Sequence, residues 1–131
     1  MNSCIQFHYT DDVERACRQG IRHKDAGHAE EALKEFTNAI LLSDETSYRA
    51  YSLRGDLNQT LGRLDEALFD YGRVLKFLPT HVPTLTSQAS CYKRMGDHER
   101  AKTQFDFILS FEGMVRPLVL LHVLIVILFV S

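Results

Sequence analysis

Apolar and small residues recur along most of the chain at spacings of three and four, which is the period of one face of an α-helix. Ala32, Phe36 and Ala39 illustrate the pattern, since their spacing of i, i+4 and i+7 places them on one side of a helix. A glycine interrupts each such stretch, and a second stretch of the same kind follows it. The pattern predicts an all-α protein made of paired helices.

The helix pairs themselves repeat at an interval of 34 or 35 residues. Apolar or small residues occupy the matching positions, which are Ala32, Ala67 and Ala101; Phe36, Tyr71 and Phe105; Ala39, Val74 and Ile108; Gly20, Gly55 and Ala89; and Gly27, Gly62 and Gly96. A fixed interval of this length is typical of solenoids, in which each pair buries its apolar face against the next. We therefore predict a right-handed α-solenoid of three helix-turn-helix repeats with a hydrophobic C-terminal segment.

The repeat divides the chain into an N-terminal extension at 1–11, three repeats over 12–115, and a hydrophobic tail at 116–131. The repeats cover about 13–46, 48–81 and 82–115. The first interval is one residue longer than the second, and we expect the extra residue at 42–47, because loops absorb insertions that packed helices do not.

Several residues predict where helices begin or pack closely. Asp11, three residues before Glu14, resembles a capping box that would start the first helix, and Pro83 after Thr80 is expected in the first turn of a later one. Gly20 and Gly55 fall inside predicted helices, where glycine costs about 1 kcal/mol relative to alanine. We expect both glycines to permit a close approach between helices.

The second repeat, from Tyr48 to His81, resembles the tetratricopeptide repeat family. The resemblance rests on Gly55, Ala67 and Tyr71 at the family's small and aromatic positions and on Pro79 near the end of the unit. It extends to about residues 12–115. Departures from the family pattern are His23 and Asn58, where an aromatic residue is usual, and Asp44 and Gly113, where proline is frequent.

The resemblance implies a concave groove, lined by the first helix of each repeat, that accepts an extended peptide or a partner helix. The groove positions carried over are Glu14, Cys17, Arg18, Ile21, Lys24, Arg49, Ser52, Leu53, Asp56, Gln59, Ser87, Ser90, Lys93 and Arg94. As partner-binding residues we select Arg18, Lys24, Arg49, Ser52, Asp56, Gln59, Ser90, Lys93 and Arg94. The alternative interpretation is that this surface is an ordinary solvated helix face.

Some members of the family hold the C-terminal carboxylate of heat-shock chaperones in this groove. The corresponding positions here are Cys17, Ile21, Leu53, Pro83 and Ser87. None supplies an ammonium, amide or guanidinium donor for a desolvated carboxylate. We therefore do not expect a chaperone C-terminal peptide as partner.

Composition and charge narrow the class of function further. A net charge of −2 gives no electrostatic reason to expect nucleic-acid binding, because nucleic-acid binders normally carry a concentrated basic surface. The odd number of cysteines, without CxxC spacing or a leading secretion signal, favours reduced thiols and a cytoplasmic location.

Catalytic and cofactor motifs are missing from the sequence, including phosphate-binding loops, the nucleophile elbow and the zinc-protease motif. The acidic stretches Asp11-Asp12, Asp65-Glu66 and Asp97-His98-Glu99 are explained by predicted helix N-termini, where acidic side chains are stabilising. The histidines show no metal-ligand spacing. We therefore predict a non-catalytic protein-binding scaffold or adaptor without cofactor or metal.

The tail does not fit the repeat pattern, because Leu118 to Val130 is almost wholly apolar, with His122 inside it. Three alternatives are open. The segment could be a membrane span that anchors an adaptor, although with a break at Pro117 it is shorter than the roughly 20 residues needed. It could fold back as a cap over the third repeat or a plug in the groove. It could also be a chain end with no structural role.

Overall fold

A computed structural model describes residues 2–130 of the chain, with the side chains of 10–114 and 116–130. The described residues form six α-helices and no strand. The helices are α1 (Asn2–Asp25), α2 (Ala29–Leu42), α3 (Tyr48–Thr60), α4 (Leu64–Phe77), α5 (Val82–Arg94) and α6 (His98–Val130). Each odd-numbered helix packs on the even-numbered helix that follows it, and successive pairs stack. The predicted all-α solenoid is confirmed.

The turn inside each helix pair contains a glycine. Gly27, Gly62 and Gly96 have φ of +83°, +78° and +81°, in the left-handed region that other residues rarely adopt. The expectation that these glycines break the helical pattern is therefore confirmed.

The repeating positions form the core between the helices. Ala32, Phe36 and Ala39 are fully buried in the first repeat, and Tyr71 and Val74 in the second. A Cβ atom at Gly20 would lie 2.6 Å from Cδ1 of Phe36. The same atom at Gly55 would lie 2.9 Å from Cε1 of Tyr71, so both glycines are required for close packing, as expected.

Within the described residues 2–130, other helices cover the third repeat on one side only. Phe105 occupies the position of Phe36 and Tyr71, yet it is 39% exposed where they are fully buried. Ala101 and Ile108, which face α5, are buried.

The extra residue of the first interval lies where it was expected. The loop between α2 and α3 spans 43–47, one residue longer than the 78–81 loop between α4 and α5. Asp44 and Glu45 take up the insertion with φ of 47° and 60°. The Ser43 hydroxyl donates to the Ile40 carbonyl at 2.8 Å, which fixes the end of α2.

The predicted start of the first helix at Asp11 is wrong. Helix α1 begins at Asn2, so residues 2–11 of the extension share one helix with the first repeat, and the Asp11-Asp12 pair lies inside it. No glycine or proline precedes Gly20, so nothing in the local sequence stops the helix from extending towards the N-terminus. Pro83, by contrast, lies in the first turn of α5 as predicted.

The predicted break at Pro117 is also wrong, because α6 continues through it to Val130. Proline removes one backbone hydrogen bond and crowds the carbonyl four residues earlier, here that of Gly113, where no side chain adds to the crowding. The fold-back alternative is wrong as well: the side chains of 118–130 are exposed on every face, and the helix projects away from the repeats.

Candidate functional site

The first helices of the repeats, α1, α3 and α5, lie side by side and form one surface. Two contacts that each span 35 residues connect neighbouring helices on it. Arg49 on α3 forms an ion pair with Glu14 on α1. Arg94 on α5 donates from Nη1 to the Gln59 carbonyl at 2.7 Å. These contacts join the helices that line the predicted groove.

All nine residues selected from the sequence lie on these three helices. Arg18, Lys24, Arg49, Asp56, Lys93 and Arg94 are exposed, and Ser52, Gln59 and Ser90 are half-buried. Among the described residues, Arg18 and Lys93 form no ion pair within 4.0 Å, and Lys24 has only its neighbour Asp25 at 3.8 Å. Arg18 and Lys93 are therefore the cations most readily available to a partner.

Asp56 and Gln59 also have a structural role that the sequence did not reveal. The Tyr71 hydroxyl donates to Asp56 Oδ1 at 2.7 Å and lies 2.8 Å from the Gln59 amide oxygen. Burial of the phenol, and then its hydrogen bond to Asp56, raise the pKa of Tyr71 above its ordinary value. Because Phe36 and Phe105 at the matching positions carry no hydroxyl, this contact is specific to the second repeat.

The expectation that Cys17 lines the groove is wrong. Its side chain is fully buried and packs with Val13, Ala39 and Tyr51. Burial raises the pKa of the Cys17 thiol, and it does the same for Cys91 on α5. Both groups are therefore protonated core side chains at neutral pH.

A shallow pocket of about 210 Å³ opens at the N-terminal end of α3. Two predicted groove residues, Arg49 and Ser52, contribute to its lining, together with Leu53 and His81. An apolar floor beside an exposed guanidinium suits a short side chain of a bound peptide.

A largely buried ion pair between α3 and α4 was not predicted from the sequence. Arg54 donates to both carboxylate oxygens of Asp70, at 3.0 and 2.7 Å, and Asn58 donates to the same carboxylate at 3.4 Å. Asp70 is 1% exposed, and its burial raises the pKa of its carboxyl although Arg54 acts in the opposite direction.

The third repeat contains the neutral counterpart of this pair. Gln88 and Gln104, 34 residues after Arg54 and Asp70, are joined by a 2.7 Å hydrogen bond. Polar residues at 54 and 70 recur 34 residues later at 88 and 104, and this repetition was the signal in the sequence that the two positions pair. A polar pair at this position therefore joins the two helices in both the second and the third repeat.

A pocket of about 500 Å³ lies beside the ion pair, between α2 and α4 and away from the predicted groove. It is lined by Leu33, Thr37, Arg54, Asn58, Asp65, Glu66, Phe69 and Asp70. Asp65 and Glu66 lie in the first turn of α4, as predicted, where the helix dipole stabilises them. Within the described part of the chain, no group of three or more histidine, cysteine or acidic residues could hold a metal ion.

The chain matches known proteins in one repeat by sequence and in the whole solenoid by structure. The family model of the tetratricopeptide repeat matches residues 48–81, and no curated protein matches the chain. The crystal structure of MamA superposes with a TM-score of 0.70 at 22% identity, over 78% of this chain and 59% of that one. The chain thus spans less than two thirds of the MamA structure.

Two further solved structures have the same fold. The tetratricopeptide repeat domain of Arabidopsis FLU superposes with a TM-score of 0.71 at 20% identity, over 81% of this chain and 98% of that one. The second tetratricopeptide repeat domain of Spaghetti, bound to an HSP90 peptide, superposes with a TM-score of 0.68 at 16% identity, over 75% of this chain and 90% of that one. Residues 48–81 therefore form a tetratricopeptide repeat, and the described part of the chain has the helical solenoid fold of the matched structures.

Proposed function

We propose that the protein is a non-catalytic scaffold in the cytoplasm that binds a segment of another protein on the surface of α1, α3 and α5. The observation that carries the proposal is the side-by-side arrangement of these helices, which the Glu14–Arg49 and Gln59–Arg94 contacts join. A row of helices that lie side by side presents a long surface to an extended peptide or a partner helix.

The charge of this surface indicates the chemistry of the partner. Of the nine selected residues five are basic and one is acidic, whereas the whole chain carries a net charge of −2. Asp56 is engaged by Tyr71, while Arg18 and Lys93 are exposed and have no ion partner among the described residues. A segment with acidic side chains complements this surface.

A free C-terminal carboxylate does not fit the same surface, although the Spaghetti domain was solved with an HSP90 peptide. At the positions expected to hold such a carboxylate, Cys17 is buried, and Ile21 and Leu53 pack against Phe36 and Leu57. These contacts support the expectation that a chaperone C-terminal peptide is not the partner.

Charge reversal on the groove surface tests the proposal. We expect the variant Arg18→Glu with Lys93→Glu to bind the partner at least about tenfold more weakly than the natural chain, because two attractive contacts become repulsive. Proteins captured by the full-length natural chain are identified by quantitative mass spectrometry, and the affinity of each is then measured by titration with the purified variant.

The control reverses the same number of positive charges elsewhere. Lys34→Glu with Lys76→Glu alters exposed residues on α2 and α4, the second helices of their repeats. A partner that binds through the groove is lost by the first variant and retained by the second. If no captured protein distinguishes the two variants, binding does not occur on this surface.

A membrane-tethered adaptor is the second candidate, and α6 is the observation that favours it. This helix has 33 residues, and the mean hydropathy of its most apolar 18 residues is 2.4. None of that stretch is buried against the repeats, unlike the core helix of a soluble protein. We propose that a lipid bilayer takes up this segment. Flotation with phosphatidylcholine vesicles checks this, and a full chain that stays at the bottom of the gradient contradicts it.

A further inference from the structure

The apolar end of α6 lies on the same uninterrupted helix as the last packed residues of the repeats. Ile108 is 7% exposed and is the last residue of α6 in the core. Arg116 follows eight residues later, and Pro117 to Val130 contains no charged residue. No loop separates the folded repeats from the apolar segment.

Lipid is the environment that satisfies the whole surface of this segment. Leu118, Leu121, Val123 and Leu124 point in different directions around the helix, and they are 66%, 55%, 47% and 56% exposed. A protein partner would cover one side of such a helix and leave the other sides in water, whereas acyl chains surround it completely. A helix also satisfies its own backbone hydrogen bonds, as the interior of a bilayer requires.

The position of Arg116 limits how deeply the helix enters. Arginine is costly in the centre of a bilayer but favourable beside the phosphate groups at its edge. With Arg116 at that edge, Pro117 to Val130 reaches about 21 Å inward at 1.5 Å per residue, beyond the midplane of a hydrocarbon layer about 30 Å thick. Ile108 then lies about 12 Å outside the edge, directly above a headgroup layer roughly 5–8 Å thick.

We propose that α6 enters a bilayer as one continuous rod with Arg116 at the headgroup boundary, so that the third repeat rests on the headgroups without a flexible linker. The inference rests on the second candidate function and adds the depth and the rigid placement. It predicts that the repeats hold one orientation towards the membrane. It also predicts that anionic lipid strengthens binding through Arg116.

Tryptophan fluorescence tests the depth, because the natural chain contains no tryptophan. Full-length variants with one tryptophan each, Leu124→Trp, Leu109→Trp and Tyr48→Trp, are bound to phosphatidylcholine vesicles containing phosphatidylglycerol. The vesicles carry a quencher either deep in the acyl chains or on the headgroup. All three residues are exposed, so the substitutions do not disturb the core.

We expect the deep quencher to act on Leu124→Trp alone and the headgroup quencher to act on Leu109→Trp. Tyr48→Trp on α3 serves as the control and escapes both quenchers. If the vesicles bind but neither quencher reaches Leu109→Trp, the repeats are held at a distance and the rigid placement is wrong. If Tyr48→Trp is quenched as strongly as Leu109→Trp, the solenoid lies flat on the bilayer and the proposed orientation is wrong.

A matched pair of arginine substitutions tests whether lipid is the environment of the segment. Leu124→Arg should weaken vesicle binding about a hundredfold, because it places a charge near the bilayer midplane. Leu109→Arg makes the same change on the same helix outside the hydrocarbon and should change binding by less than about threefold. Equal effects of the two substitutions, or self-association of the chain without vesicle binding, would overturn the proposal.

The results separate this inference from the proposed functions. Vesicle binding with no quenching of Leu109→Trp leaves the membrane tether standing and removes only the rigid placement. Absence of vesicle binding removes the tether together with the inference. Neither result alters the binding expected at Arg18 and Lys93, which is measured with a soluble partner.

Discussion

Gly20→Ala is expected to lower the free energy of unfolding by about 2 kcal/mol, although alanine is the better helix former. The added methyl group would lie 2.6 Å from Cδ1 of Phe36, whose ring is fully buried among Ala32 and Leu57 and cannot move aside. Overpacking costs roughly 1–3 kcal/mol or more, and the gain in helix propensity offsets at most about 1 kcal/mol of it. Urea unfolding of the full chain in a mild detergent, followed by circular dichroism, measures the change.

Gly72→Ala is the control for this prediction. Gly72 also lies inside a helix, but no atom lies within 4 Å of the position that its Cβ would take. This variant should be as stable as the natural chain or up to about 1 kcal/mol more stable. In a double-mutant cycle, Phe36→Leu should reduce the cost of Gly20→Ala, since a smaller side chain leaves room for the methyl group. If Gly20→Ala lowers the free energy of unfolding equally with and without Phe36→Leu, the Phe36 ring is not what excludes the added methyl group.

Arg54→Gln is expected to lower the free energy of unfolding by about 3 kcal/mol, because it leaves the Asp70 carboxylate buried without its cation. The double variant Arg54→Gln with Asp70→Gln should recover most of this loss. It reproduces the hydrogen-bonded Gln88–Gln104 pair that occupies the same positions in the third repeat. Unfolding of both variants in urea gives the comparison. A double variant no more stable than Arg54→Gln would mean that the charge left on Asp70 is not the cause.

The cost of Arg54→Gln should also depend on pH. Burial already raises the pKa of Asp70, and removal of Arg54 raises it further, because the guanidinium lowers it. A folded-state pKa above the unfolded value means that acid favours the folded form. The loss of unfolding free energy caused by Arg54→Gln is therefore complete above the pKa that Asp70 has in the folded state. The loss decreases as the pH falls towards the pKa of Asp70 in the unfolded chain, which is about 3.9. The double variant, which lacks the carboxyl, should not show this dependence.

Most of the fold was predictable, because the repeat constrains each position three times. The columns of Ala32, Gly20 and Gly27 identify, respectively, the core, the closest helix contacts and the turns from spacing alone. The two wrong predictions of helix boundaries, a start at Asp11 and a break at Pro117, relied on local signals of one or two residues. A capping motif or one proline contributes only a few kcal/mol, and the surrounding residues decide whether the helix continues.

The candidate site was less predictable than the fold. Spacing placed all nine selected residues on the first helices, but it could not show which side chains are engaged inside the molecule. Asp56 contacts Tyr71, and Cys17 turns into the core, since the direction of each side chain depends on the packing of neighbouring helices. Arg18 and Lys93 could be distinguished from Arg49 and Arg94 only after the contacts between helices were known.

The open side of the third repeat makes the solenoid uneven in its resistance to local unfolding. In a stack stabilised by contacts between nearest neighbours, a unit that is covered on one side only has fewer contacts to lose. Phe105, 39% exposed, marks that end of the stack, whereas Phe36 and Tyr71 are enclosed by helices on both sides. Transient opening therefore begins beside the helix that carries the apolar segment. The first two repeats, with the Glu14–Arg49 contact between them, can keep their shape while the third loosens.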